Sequence, residues 1–185
     1  MSAGKRWLSM IVRRWPIAVG IASVVAFSGG GVSDDGVAGL GEALLLLPLG
    51  YLVLAKIRRR NAAWLVLFAG LAAIVALRAI DVVAPSAFLS AVALVVLVWG
   101  AADGQLRKPD MFRVQAWGML GFGALALAGL AVEPELARYI VAAGWFFHGI
   151  WDYVHLRLDK VVSRSYAEWC AAVDIVVAVQ LVMMA

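Results

Sequence analysis

"VAGLGEALLLLPLGYLVLAKIRRR", residues 37 to 60, carries one acidic side chain, Glu42, in its first 19 positions and then places four basic residues in the last five. A helix needs about 20 mainly apolar residues to cross the ~30 Å hydrocarbon core of a bilayer. Lysine and arginine gather at the cytoplasmic ends of such spans. The stretch therefore reads as one membrane crossing that ends in the cytoplasm.

The same pattern recurs on both sides of it. Apolar segments divided by charge clusters cover residues 15–32, 37–55, 62–80, 82–102, 114–132, 138–156 and 168–185. The 185-residue chain is 64% apolar and 15% charged, with a mean hydropathy of +0.92, whereas a soluble domain is about half apolar and about a quarter charged. Only helices and closed barrels satisfy every backbone group in lipid, and continuous apolar runs lack the alternation of barrel strands. The expected fold is all-α, a single polytopic domain of seven transmembrane helices in the cell (inner or plasma) membrane.

Charge placement gives the expected orientation. Alternating the loops puts 14 of the 16 basic residues on one side, from Lys5 and Arg6 through Lys56, Arg58, Arg107 and Arg157 to Arg164. The other side holds Arg78 and Arg138 beside Asp34, Asp35, Asp81, Glu133 and Glu135. The positive-inside rule then places the N-terminus in the cytoplasm and the C-terminus outside. The net charge of +4 belongs to these span ends, where it meets anionic headgroups. The loops are too short to build a nucleic-acid reading module.

The basic start, apolar run and "AFSGG" (26–30) have the form of a secretory signal, but an uncleaved first span is the expectation. Cys170 is the sole cysteine, so neither an intrachain disulfide nor a thiolate cluster is expected. "GGGVSDDG" (29–36) reads as an exposed turn and does not match a calcium-binding EF-hand loop. No nucleotide or haem signature is present, and span seven has no lysine for a retinal Schiff base. Gly50, Gly100 and Gly149, followed by Trp64, Trp117 and Trp169, suggest three similar hairpins behind a leading helix.

The polar residues inside the spans are the functional candidates. In "GWFFHGIWDYVHLRLDK" (144–160), His148, Asp152 and His155 fall at about 0°, 40° and −20° around a helix, one narrow face. Ionisable groups in lipid cost several kcal/mol, so this face is expected to point into the bundle or a water-filled cavity. Counting from the cytoplasmic ends of their expected spans, Asp152 and Asp174 lie at one depth, about six residues or ~9 Å in. Asp103 and Glu168 lie nearer that surface. The expected site is a cavity open to the cytoplasm and ringed by Asp103, His148, Asp152, His155 and Asp174.

Two imidazoles and two carboxylates suit zinc or another divalent metal, with His148, Asp152, His155 and Asp174 as ligands and water in an open position. Asp152, Asp174 and Asp103 are the catalytic candidates, a spare carboxylate serving as general base to a metal-bound water. The same residues also suit a proton- or ion-handling relay or a structural hydrogen-bond network. Glu42 is a candidate outer gate, and Arg78 with Asp81 a candidate local ion pair.

"GWFFHGIWDYVHLR" followed by "YAEWCAAVDIVVAV" resembles the C-terminal signature of a group of small bacterial polytopic membrane proteins with an H-x-x-W-D-x-x-H helix. The resemblance implies no activity; it implies that His148, Trp151, Asp152, His155, Cys170 and Asp174 act as a unit. In span count and membrane-embedded His and Asp residues the chain is also similar to the adiponectin-receptor and alkaline-ceramidase superfamily of zinc amidases. The last-helix H-x-x-x-H of that group is absent. The leading functional expectation is a membrane-embedded, metal-dependent hydrolase acting on a lipid or lipid-linked substrate. A proton- or ion-coupled transporter or channel for a small molecule is the alternative, and a non-catalytic accessory subunit the third.

Overall fold

The computed structural model describes residues 14–27 and 33–183, and all regular structure among them is helical. The helices are α1 (Trp15–Phe27), α2 (Asp34–Ile57), α3 (Ala63–Ile80), α4 (Pro85–Ala102), α5 (Met111–Ala131), α6 (Pro134–Leu158) and α7 (Arg164–Met183), with a 3₁₀ turn Arg60–Ala62 ahead of α3. Each expected span falls on one of them. Lys5, Arg6, positions 28–30 of "AFSGG" and positions 29–32 of the expected 29–36 turn lie outside the described residues, while Asp34, Asp35 and Gly36 form not a turn but the start of α2, which Ser33 caps.

Five helices, α2, α3 with its leading turn, α4, α5 and α7, are long and apolar enough to cross a membrane. The described part of α1 covers 13 residues, about 20 Å of helix. The length of α6 suffices at 25 residues, but His148, Asp152 and His155 dilute its hydropathy.

Local chemistry sets the helix ends. Ser33 Oγ accepts from the Gly36 N–H at 3.2 Å and opens α2. The Asp110 carboxylate accepts from the Met111 N–H at 2.6 Å and opens α5. Pro85 and Pro134 occupy the first turns of α4 and α6, where a missing N–H costs nothing. Pro85 thus starts a helix and kinks none. Arg58, Asp81 and Asp159 end α2, α3 and α6 in the left-handed conformation.

The bundle is built around α2, which packs against α3, α4, α5 and α6. Within the apolar window of α2, 72% of residues are buried, against 17% for α3 and 28% for α4, which form the exposed flank of the bundle. The broadest helix contact is α6 on α7, and α7 also receives α1.

Ion pairs tie the loops together at each end. Arg58 meets Asp110 at 3.1 Å, Arg60 meets Asp159 at 2.5 Å, and Lys56 bonds to Asp103, so the loops after α2, α4 and α6 share one arginine-rich end. At the opposite end Arg78 Nε donates to Glu42 Oε2 at 2.7 Å. This corrects the expected Arg78–Asp81 pair: the carboxylate on the central helix, 7% exposed, takes the guanidinium. The three hairpins do not share one packing plan. α6 and α7 are broadly joined while α4 and α5 touch slightly, and Trp117 is exposed where Trp64 and Trp169 pack together.

Candidate functional site

The buried stripe of α6 runs Ala137, Val141, Trp145, His148, Asp152, His155, at spacings of three and four that keep one face inward. His148 and Asp152 are fully buried and His155 is 2% exposed, so both histidines face the bundle as expected. Asp174, also fully buried, reaches them from α7 because Gly149 leaves room. A Cβ at Gly149 would lie 3.2 Å from the Asp174 Cβ. α7 begins at Arg164, four residues ahead of the expected span, since its polar first turn projects beyond the apolar stretch. Asp174 is therefore ten residues from the arginine-rich end, level with His148 and one turn deeper than Asp152.

His148 Nδ1 lies 2.7 Å from Asp174 Oδ2 and 3.6 Å from Asp152 Oδ2. Tyr51 of α2 donates its hydroxyl to Asp152 Oδ1 at 2.5 Å. One ligand atom from each of His148, Asp152 and Asp174 falls within 4.8 Å of the others, a group that could hold a metal ion. His148 Nε2, Asp152 Oδ2 and Asp174 Oδ1 are buried without a hydrogen-bond partner. Each such atom costs about 1–3 kcal/mol. A cation or water bonded to any of them offsets that cost, whereas a purely structural network would be expected to close on itself. Tetrahedral zinc holds its ligand atoms about 3.4 Å apart, so on zinc the side chains would close in; a larger oxygen-binding ion, with bonds of about 2.3–2.6 Å, needs less movement.

Two expected members are not brought to this group. His155 turns Nδ1 to the Trp151 carbonyl at 2.9 Å and Nε2 to the Gln115 amide at 2.8 Å. A carbonyl only accepts, so Nδ1 carries the proton and Nε2 receives the amide N–H; both nitrogens are engaged. Asp103 sits at the arginine-rich end, bonded to Lys56, whose amine also donates to Gln105 at 2.9 Å. The buried Lys56 draws it away from the interior. Cys170 is buried on α7 and offers no ligand atom to the group.

Tyr51 and Gln115 were not among the expected site residues. Tyr51 stands six residues from the end of α2, the depth of Asp152 in α6, and that matching depth was the available signal. Gln115 lies in the first turns of α5, where a polar residue needs no special explanation.

A cavity of about 590 Å³ reaches Asp174. Its walls come from α1, α2, α3, Trp145 of α6 and α7, extending to Ser33, Gly36 and Gln180. These lie toward the end opposite the arginine-rich loops. The expected cytoplasm-facing cavity is therefore corrected: at the arginine-rich end Trp64 packs on Trp169 at 5.4 Å and on Tyr166 at 5.5 Å, closing that approach. Asp174 is the sole member of the three-residue group on the cavity wall.

Comparison with protein-family models, curated proteins and solved structures finds no match to this chain. The resemblance to small bacterial membrane proteins rests on its own residues alone.

Proposed function

We propose that this chain crosses the cell membrane seven times, with its arginine-rich end in the cytoplasm, and works there as a metal-dependent hydrolase of a lipid or lipid-linked substrate. The observation that carries the reading is Asp174. It belongs to a buried group with three unpartnered ligand-type atoms, and it also lines an apolar cavity. His148, Asp152 and Asp174 would hold the ion, and zinc there would supply a bound water with its pKa lowered to about 7. Tyr51 holds the Asp152 carboxylate in place through Oδ1. Asp174 Oδ1, buried without a hydrogen-bond partner, is the candidate general base.

Elemental analysis of purified protein tests this. One divalent ion per chain at neutral pH is expected in the wild type and none in Asp174→Asn; metal-free wild type, prepared without chelator, would sink the assignment. Orientation is tested separately by labelling Val83→Cys and Arg107→Cys in intact cells. Val83→Cys should react with an impermeant reagent and Arg107→Cys should not.

Proton- or ion-coupled transport is the second reading, favoured by the run of hydrogen bonds from Tyr51 to Asp152 and from His148 to Asp174. Such a cycle needs access from both ends. Glu42, the expected outer gate, is held by Arg78 and does not line the cavity. Proton flux in vesicles that persists in metal-free protein would favour transport.

A further inference from the structure

We infer that the cavity beside Asp174 takes the single hydrocarbon chain of a lipid that lacks a phosphate headgroup, with an acyl ester or amide bond lying at Asp174. The inference names a substrate class for the proposed hydrolase and rests on that reading only for the fate of the acyl bond. Chain binding stands separately.

Size gives the first argument. The volume is about 590 Å³. A methylene fills about the space of a water, ~30 Å³, so one chain of roughly 16–20 carbons fits and two do not. The cavity is also long. Its α2 wall extends from Gly36 to Leu47, which is about 17 Å of helix. Along that wall Gly36, Gly39 and Ala43, spaced by three and four, present little side chain on one face.

Polarity gives the second. Asp174 is the one charged residue among the described lining residues; none is basic, and Ser23, Ser33 and Gln180 supply the remaining polar side chains. A phosphate at Asp174 would lose its hydration and meet a carboxylate, while the guanidinium of Arg78, which lies beside the lining residue Gly39, is already paired with Glu42. Access gives the third. α1 packs on α7, while α3 packs on α2 and α4. α1 and α3 share no broad contact, so the wall between them, at Ser23 and Leu71, is where a chain from the bilayer would enter. Hydrolysis would add the hydroxyl of water to the acyl carbon, break its C–O or C–N bond, and pass the proton to the leaving alcohol or amine, releasing a fatty acid.

The test uses the full chain in dioleoylphosphatidylcholine vesicles, where a two-chain phospholipid is in large excess. The probe is a palmitoyl amide with a photoactivatable diazirine in its chain. Cross-links should map to the α2 and α7 cavity walls. Unlabelled palmitamide should compete, and lysophosphatidylcholine should not. Ala43→Phe, which fills the cavity, should cut labelling about tenfold. Leu71→Trp, on a different helix, should do the same and serves if the first variant fails to fold. Asp152→Asn should keep the label while losing metal, so failure of the hydrolase reading and failure of the chain site give different results. Cross-links spread over the lipid-facing surface at Leu65, Phe68 and Leu94, or labelling unchanged in both cavity variants, would overturn the inference.

Discussion

His148 Nδ1 stands 2.7 Å from Asp174 Oδ2, with both side chains excluded from solvent, so the last two helices are joined at mid-depth by a pair of ionisable groups. His155 lies two turns along the same face of α6, yet it is saturated by Trp151 and Gln115. The two histidines should therefore behave differently. His148→Gln should abolish stoichiometric metal. His155→Gln should retain it and instead lower stability by about 1–3 kcal/mol, because Gln115 loses its acceptor. Elemental analysis beside thermal unfolding in detergent reads both, and equal metal loss in the two variants would refute the distinction.

Tyr51→Phe removes the donor to Asp152 Oδ1 without changing ring packing. Groups that orient a metal ligand from behind are worth about 10–100-fold in affinity. Chelator competition should show a loss in that range, while circular dichroism stays unchanged. Unaltered affinity would mean that Asp152 needs no such support.

Gly149→Val tests the close approach of α6 and α7. The added carbons meet Asp174 Cβ and Ile175 Cδ1, 3.2 and 3.1 Å from the ideal Cβ position. The isoleucine tip can swing aside, but the Asp174 Cβ moves only with its helix. Overpacking of this kind costs about 1–3 kcal/mol, and α7 should withdraw from His148. Metal content should fall with helicity retained; full metal loading would show that the helices part without disturbing the ligands.

Asp159, outside the membrane segments, has its carboxyl held below the usual range by the Arg60 hydrogen bond and charge. A depressed carboxylate stabilises the folded state above its unfolded pKa, and that contribution is lost as pH falls through the lowered folded value. Arg60→Gln should therefore narrow the difference in melting temperature between neutral and acid buffer. The pair is exposed, so the effect should be modest and should fade in high salt. A salt-independent difference would point to another group.

The helices were legible because apolar length and flanking cations are local properties. Thus residues 37–55 and the arginines after them locate α2 to within a few positions. The shared face of His148, Asp152 and His155 was legible because one helix fixes its own angles. What partners do was not. Gln115 removes His155 from the group, and Lys56 holds Asp103 at the surface; both act from other helices. The start of α7 was misread because Arg164, Ser165 and Tyr166 are polar residues of a helix that outlasts the apolar core. The side from which the cavity reaches Asp174 depends on how α1 and α3 sit around α2 and α7, an arrangement no single segment encodes.

α1 packs on α7, so among the described helices the one earliest in the chain finds its partner in the one latest in it. The six other described helices are synthesised before Asp174, which completes the cluster, and before Trp169, which closes the arginine-rich end of the cavity. Until then α1 stands without its partner helix, and His148 and Asp152 without their third companion. A chain cut short before α7 would keep most of the hydrophobic mass of the described helices and have neither pocket nor ligand set, which makes synthesis of α7 the event that creates the site.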